Sequence, residues 1–134
     1  MNLVSIRIIT SDVKRLLEFY EQVTGITGVK HTEDFAEIRS GSATLAIGST
    51  RTLAFFGGDE VAKAAYNRSV IIEFMVDNVD AIYKRILTLV QSALIQEPTT
   101  MPWGNRSLLF RDPDGNLVNI FTPVSRDGLI PKIV

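Results

Sequence analysis

The chain has 134 residues, of which 46% are apolar and 22% charged, with a net charge of −1. That length and apolar share suit one domain with an appreciable core and exclude wholesale disorder. The near-neutral balance gives no basic field for nucleic acid and no acidic field for a cationic ligand. With no cysteine there is no disulfide framework, thiol nucleophile or thiolate metal site, an absence that fits a cytoplasmic protein. The N-terminus has no basic segment, and Arg7 and Asp12 interrupt any apolar leader. The longest uncharged run after the first helix, residues 86–96, falls short of the roughly 20 residues that span a bilayer. The expectation is a cytoplasmic protein with neither membrane nor nucleic acid as a partner.

Residues 4–10 form a β-rich run, and Asp12 can cap a helix carrying Val13, Leu16, Leu17 and Tyr20 at spacings of three and four, up to Gly25. Phe19 and Tyr20 sit at helical spacing and read as core. Strand candidates follow at 35–39, 43–47 and 52–56, punctuated by Gly41 and Gly48. Residues 57–68 join two halves, with Gly57-Gly58 as a turn and a short helix expected over 59–66. The pattern then recurs. Residues 70–76 form an apolar strand, Asp77-Asn78 supplies a cap, and Val79, Ile82, Ile86, Leu89 and Val90 form the buried stripe of a second helix. Strands at 107–111 and 117–121 flank an Asp-Pro-Asp-Gly-Asn turn at 112–116, where Pro113 pre-sets φ and Gly115 supplies the left-handed residue. Ile6 matches Ile72, Val13 matches Val79 and Leu16 matches Ile82, so the chain reads as two βαβββ units in one domain. The units cover 1–57 and 70–122, with a connector at 58–69 and a tail at 123–134.

Two βαβββ units, Phe19-Tyr20 before Gly25, the run Val76-Asp77-Asn78-Val79-Asp80, and the segment from Pro102-Trp103-Gly104 to the Asp112–Asn116 turn resemble the vicinal oxygen chelate superfamily. This is the group of glyoxalase I, extradiol dioxygenases, fosfomycin-modifying enzymes and bleomycin-resistance proteins. The resemblance covers about residues 2–122. It implies an α+β fold, two tandem units forming one curved eight-stranded mixed sheet around a cavity with helices outside, and often a homodimer. In the metal-using members, four strands present histidine, glutamate or glutamine to a divalent metal. Counted from the helix caps, those positions fall at Ser5, Ile71 and Asn119, with the fourth near Ala46. Protonated serine and a neutral amide are poor ligands, and isoleucine and alanine are none. The only histidine, His31, falls in a loop and reads as an exposed loop residue. No metal or other cofactor is expected, unless these positions are misaligned.

Strand alternation puts Ser5, Arg7 and Ile9 on one face of the first strand, and Ile71, Glu73 and Met75 on the equivalent face of its counterpart. Ile6, Ile8, Ile72 and Phe74 then suit packing under the helices. Arg7 and Glu73 read either as a polar pair that orients a ligand, with Glu73 the one candidate base, or as a salt bridge. The salt bridge carries more weight, because nothing identifies a proton to move. Trp103 and Arg106 suit an aromatic platform and an anion contact at a cavity mouth. Asn119 and Phe121 share a face, and Asn119 offers a donor and an acceptor. The ligand-binding candidates are thus Ser5, Arg7, Ile71, Glu73, Trp103, Arg106, Asn119 and Phe121. The function expected is metal-independent binding of a hydrophobic or aromatic small molecule. Two alternatives stand: a lyase, isomerase or dioxygenase of the same superfamily, and a dimeric interaction domain whose apolar tail packs on a partner subunit.

Overall fold

The computed structural model describes residues 1–124; the tail proposed to pack on a partner subunit lies mostly outside the described residues. The chain divides into two compact units, residues 1–67 and 68–134, each described here by itself. In the first, Ser5–Thr10 forms β1, Val13–Thr24 α1, Val29–Thr32 β2, Phe35–Arg39 β3 and Thr44–Ser49 β4. The sheet order is β1-β4-β3-β2, with β1 parallel to β4 and the other pairs antiparallel. In the second, Ile71–Met75 forms β5, Val79–Val90 α2, Leu94–Thr100 β6, Asn105–Arg111 β7 and Leu117–Pro123 β8, ordered β5-β8-β7-β6 with the same mixture of pairings. The expected α+β class and eight strands are present, as two four-stranded mixed sheets.

Local chemistry sets the helix ends. The Asp12 carboxylate accepts from the Arg15 backbone N–H at 3.1 Å, and Gly25 closes α1 at φ 72 with its N–H on the Glu21 carbonyl. Val13, Leu16, Leu17, Phe19, Tyr20 and Val23 turn inward, and the Phe19 and Tyr20 rings meet edge to face at 5.4 Å. Asn78 caps α2 in the same way, accepting from Ala81 N–H at 3.1 Å. Thr122 on β8 anchors that helix: its hydroxyl donates to the Val76 carbonyl and accepts from the Val79 N–H.

Helix α1 packs mainly on β3 and β4, the inner strands of its sheet, and α2 mainly on β7 and the edge strand β6. Beneath α1 lie Ala36, Ile38, Leu45 and Ile47; Leu108, Phe110, Val118 and Ile120 are buried in the second unit. The outer strands β1 and β5 receive less cover. Ile6, expected under a helix, is therefore 50% exposed, and Ile8, Ile72 and Phe74 are only half-buried.

Four local expectations are corrected. Residues 52–56 belong to no strand: Thr50–Phe55 is a 3-10 helix, because Ser49 accepts from Arg51 N–H and Thr52 Oγ1 donates to the Ser49 carbonyl. Such side-chain bonds compete with a ladder and bend the chain. No helix forms over residues 59–66, which run through turns with Ala65 at φ 60. Val61 and Tyr66 there stay exposed, leaving no apolar stripe to offset the cost of nucleation. His31 lies on β2, a short polar outer strand that has no apolar alternation to announce it. The seven-residue β6 was unexpected because Pro98 interrupts its pattern; the register shifts between Gln96 and Thr99 accommodate the ring.

Candidate functional site

In the second unit the register places Glu73 directly opposite Asn119, Ile71 opposite Leu117 and Met75 opposite Phe121. β7 continues the same face with Asn105, Ser107 and Leu109. The Asn119 amide donates from Nδ2 to Glu73 Oε2 at 2.9 Å. A carboxylate can only accept from it, so Asn119 Oδ1 is left as the other end of the amide, and it is buried without a partner. Asn105 Oδ1, on the same face and in a residue only 6% exposed, is likewise orphaned. Buried acceptors without donors cost about 1–3 kcal/mol each. This face thus combines acceptors in want of N–H or O–H groups with the apolar surfaces of Ile71, Met75 and Phe121. Asn105 was missed in the sequence, since only its burial and lack of a partner single it out.

In the first unit the equivalent face carries Ser5, Arg7 and Ile9 from β1, Thr44, Ala46 and Gly48 from β4, and Phe35, Glu37 and Arg39 from β3. The Arg7 guanidinium lies 4.5 Å from the Phe35 ring centroid and 5.0 Å from that of Phe56. His31 stacks on Phe35 at 5.4 Å and bonds Glu37 Oε1 at 2.7 Å. Arg39 grips the same oxygen. The hydrogen bond from His31, then that from Arg39, hold the Glu37 carboxyl below its ordinary range. Arg7 and Glu73 therefore each have partners within their own unit. Phe35, Phe56 and His31 were not counted as site residues from sequence, because an unseen strand and a mistaken one hid how they converge.

The remaining candidates separate. Trp103 stands 50% exposed in the turn between β6 and β7. Arg106 sits opposite Thr122 and so lies on the other face of the sheet from Asn119. Its guanidinium grips Asp80, in the first turn of α2, through two bonds of 2.9 and 3.0 Å, and bonds Thr100 as well. That pairing, chiefly the hydrogen bond, lowers the Asp80 carboxyl and raises the Arg106 guanidinium. Arg106 braces the helix and is not part of the Asn119 face. A pocket of about 350 Å³ near the connector includes Arg51, Lys63 and Asp59 in its lining, but Arg51 is tied to Asp34 and Lys63 to Glu60.

The positions named for a chelated metal do not pair across the strands: Ser5 faces Thr44, Ala46 faces Arg7, Ile71 faces Leu117 and Asn119 faces Glu73. Shifting the frame by one pleat gives Arg7 with Ala46 and Glu73 with Asn119. The first unit then offers a methyl and a guanidinium, which cannot donate a lone pair, and the second one carboxylate and one amide. Among the described residues no group of three or more His, Asp or Glu side chains could hold a metal ion. The residues present do not fit the superfamily's metal.

The family model described as the Glyoxalase/Bleomycin resistance protein/Dioxygenase superfamily matches residues 2–120. The uncharacterized protein YraH of Bacillus subtilis is 26% identical over 125 residues, spanning 90% of this chain and 98% of its own. A glyoxalase/bleomycin resistance protein/dioxygenase family enzyme from Burkholderia phytofirmans superposes with a TM-score of 0.81 at 18% identity, over 92% of this chain and all of that one. A similarly described protein from Nocardioides gives 0.76 at 20% identity, over 100% of this chain and 89% of that one. At those identities the two structures speak for the fold alone. With two βαβββ units and a family match along nearly its full length, the chain belongs to the glyoxalase/bleomycin resistance protein/dioxygenase superfamily.

Proposed function

We propose that this protein binds a hydrophobic or aromatic small molecule without a metal, on the sheet face that carries Glu73 and Asn119. The observation that carries the reading is the Asn119 side chain. Its amide is spent on Glu73, leaving Oδ1 buried and unpaired. A ligand N–H or O–H would satisfy that oxygen, while Ile71, Met75 and Phe121 offer apolar contact. Pockets that bind by apolar surface with a few placed polar groups commonly work this way.

Thermal-shift screening of neutral aromatic compounds bearing a hydrogen-bond donor, with and without EDTA, tests it. The expected result is a set of stabilising ligands indifferent to EDTA, whose effect falls in Asn119→Leu. Stabilisation that vanishes with EDTA, or that Asn119→Leu leaves intact, contradicts it. A second reading rests on Glu73 Oε1, which makes no hydrogen bond among the described residues and is positioned to take a proton. For a substrate found in that screen to be turned over, this reading requires Glu73→Gln to abolish turnover while binding persists.

A further inference from the structure

We infer that the Arg7 face of the first unit is an anion site, built for the carboxylate of a small organic acid with an apolar body. The starting point is a charge without a counter-charge. Arg7 is exposed and, among the described residues, makes no hydrogen bond and no ion pair. A carboxylate is available on the same sheet face, Glu37 on β3, but His31 and Arg39 have taken it. What holds Arg7 instead is aromatic. Phe35 and Phe56 lie 4.5 and 5.0 Å from the guanidinium carbon. Neither ring takes the guanidinium charge away, and no protein oxygen among the described residues accepts from its N–H groups, which leaves them for a two-pronged bond to a ligand.

The floor under Arg7 is kept small. Ala46 lies opposite it, and a Cβ added at Gly48 would come within 3.3 Å of Arg7 Cδ and 3.2 Å of Thr52 Oγ1. Glycine thus gives the Arg7 stem room to lie along β4. Gly48 does not have the left-handed φ that demands glycine elsewhere in this chain, so close approach is what favours it here.

The surroundings choose among anions. One guanidinium matches one carboxylate, fork to fork. The other nitrogen donors of this face, Arg39 and His31, are engaged with Glu37, so little remains to neutralise a phosphate dianion. Around the guanidinium lie Phe35, Phe56, Ile9 and Ala46, which suit an apolar body. Phe56 is 56% exposed and Phe35 half-buried, so both rings have surface left for a ligand.

This inference concerns residues of the first unit only and does not depend on the Asn119 reading. Its test is calorimetric titration with benzoate, with benzamide as the neutral isostere. Wild-type protein should bind benzoate roughly tenfold more tightly than benzamide, the margin of a charge-assisted pair over a neutral one. Arg7→Gln should abolish that preference while leaving the melting temperature unaffected. Arg7→Lys should retain part of it, keeping the charge but losing the fork. Gly48→Ala should weaken benzoate while Arg7 remains present. Equal binding of the two probes, an undiminished preference in Arg7→Gln, or no benzoate binding by wild type overturns the proposal.

Discussion

Single residues decide what this chain can and cannot do. Arg7, Glu73 and Asn119 were legible because strand alternation assigns faces without knowledge of packing. Their partners were not: Asn119 with Glu73 needs the β5–β8 register, and Arg7 with Phe35 and Phe56 needs the 3-10 helix that replaces an expected strand. Arg106 shows the opposite failure. Its place in the chain suggested a cavity mouth, but one step of alternation turns it toward Asp80. A substitution tests the Asn119 geometry directly. Asn119→Asp places a second carboxylate oxygen where Nδ2 now lies, 2.9 Å from Glu73 Oε2. Two carboxylates that close share a proton, so in the folded variant the pair holds it more tightly than in the unfolded chain. Folded pKa above unfolded pKa means stability is lost as pH rises. The variant should therefore melt well below wild type at about pH 8 and approach it at about pH 4. A deficit independent of pH would contradict the pairing.

Secondary elements were readable where apolar period and cap agreed. Both helices follow that rule, starting after Asp12 and Asn78 and burying the residues their spacing selected. β2 and β6 were hidden because outer strands held by one neighbour need little apolar alternation, and β6 carries a proline as well. The turn at 112–116 was legible because its chemistry is local. Asp112 Oδ1 accepts from Asp114 and Asn116 backbone N–H groups, Oδ2 accepts from Asn116 Nδ2, and Gly115 takes φ 84. The carboxylate is buried, so Asp112→Ala strands three donors at once. The expected cost is about 3 kcal/mol, read from urea unfolding, since each buried unpaired group costs on the order of 1–3 kcal/mol. A loss below about 1 kcal/mol would mean that water replaces the carboxylate and that the turn does not depend on it.

At the scale of the molecule, the two βαβββ units carry equivalent sheet faces that differ in charge. The first presents a guanidinium with ring neighbours; the second presents a carboxylate bonded to an amide. These faces offer hydrogen-bond groups of opposite kinds, set among apolar side chains. Among the described residues no helix is long and apolar enough to cross a membrane. The proposed binding of organic ligands needs no metal. Elemental mass spectrometry of untagged protein, before and after incubation with nickel, zinc, manganese and iron(II), tests it most directly. After gel filtration only substoichiometric metal should remain in every case. About one metal per chain, lost on substitution of Glu73, would contradict it.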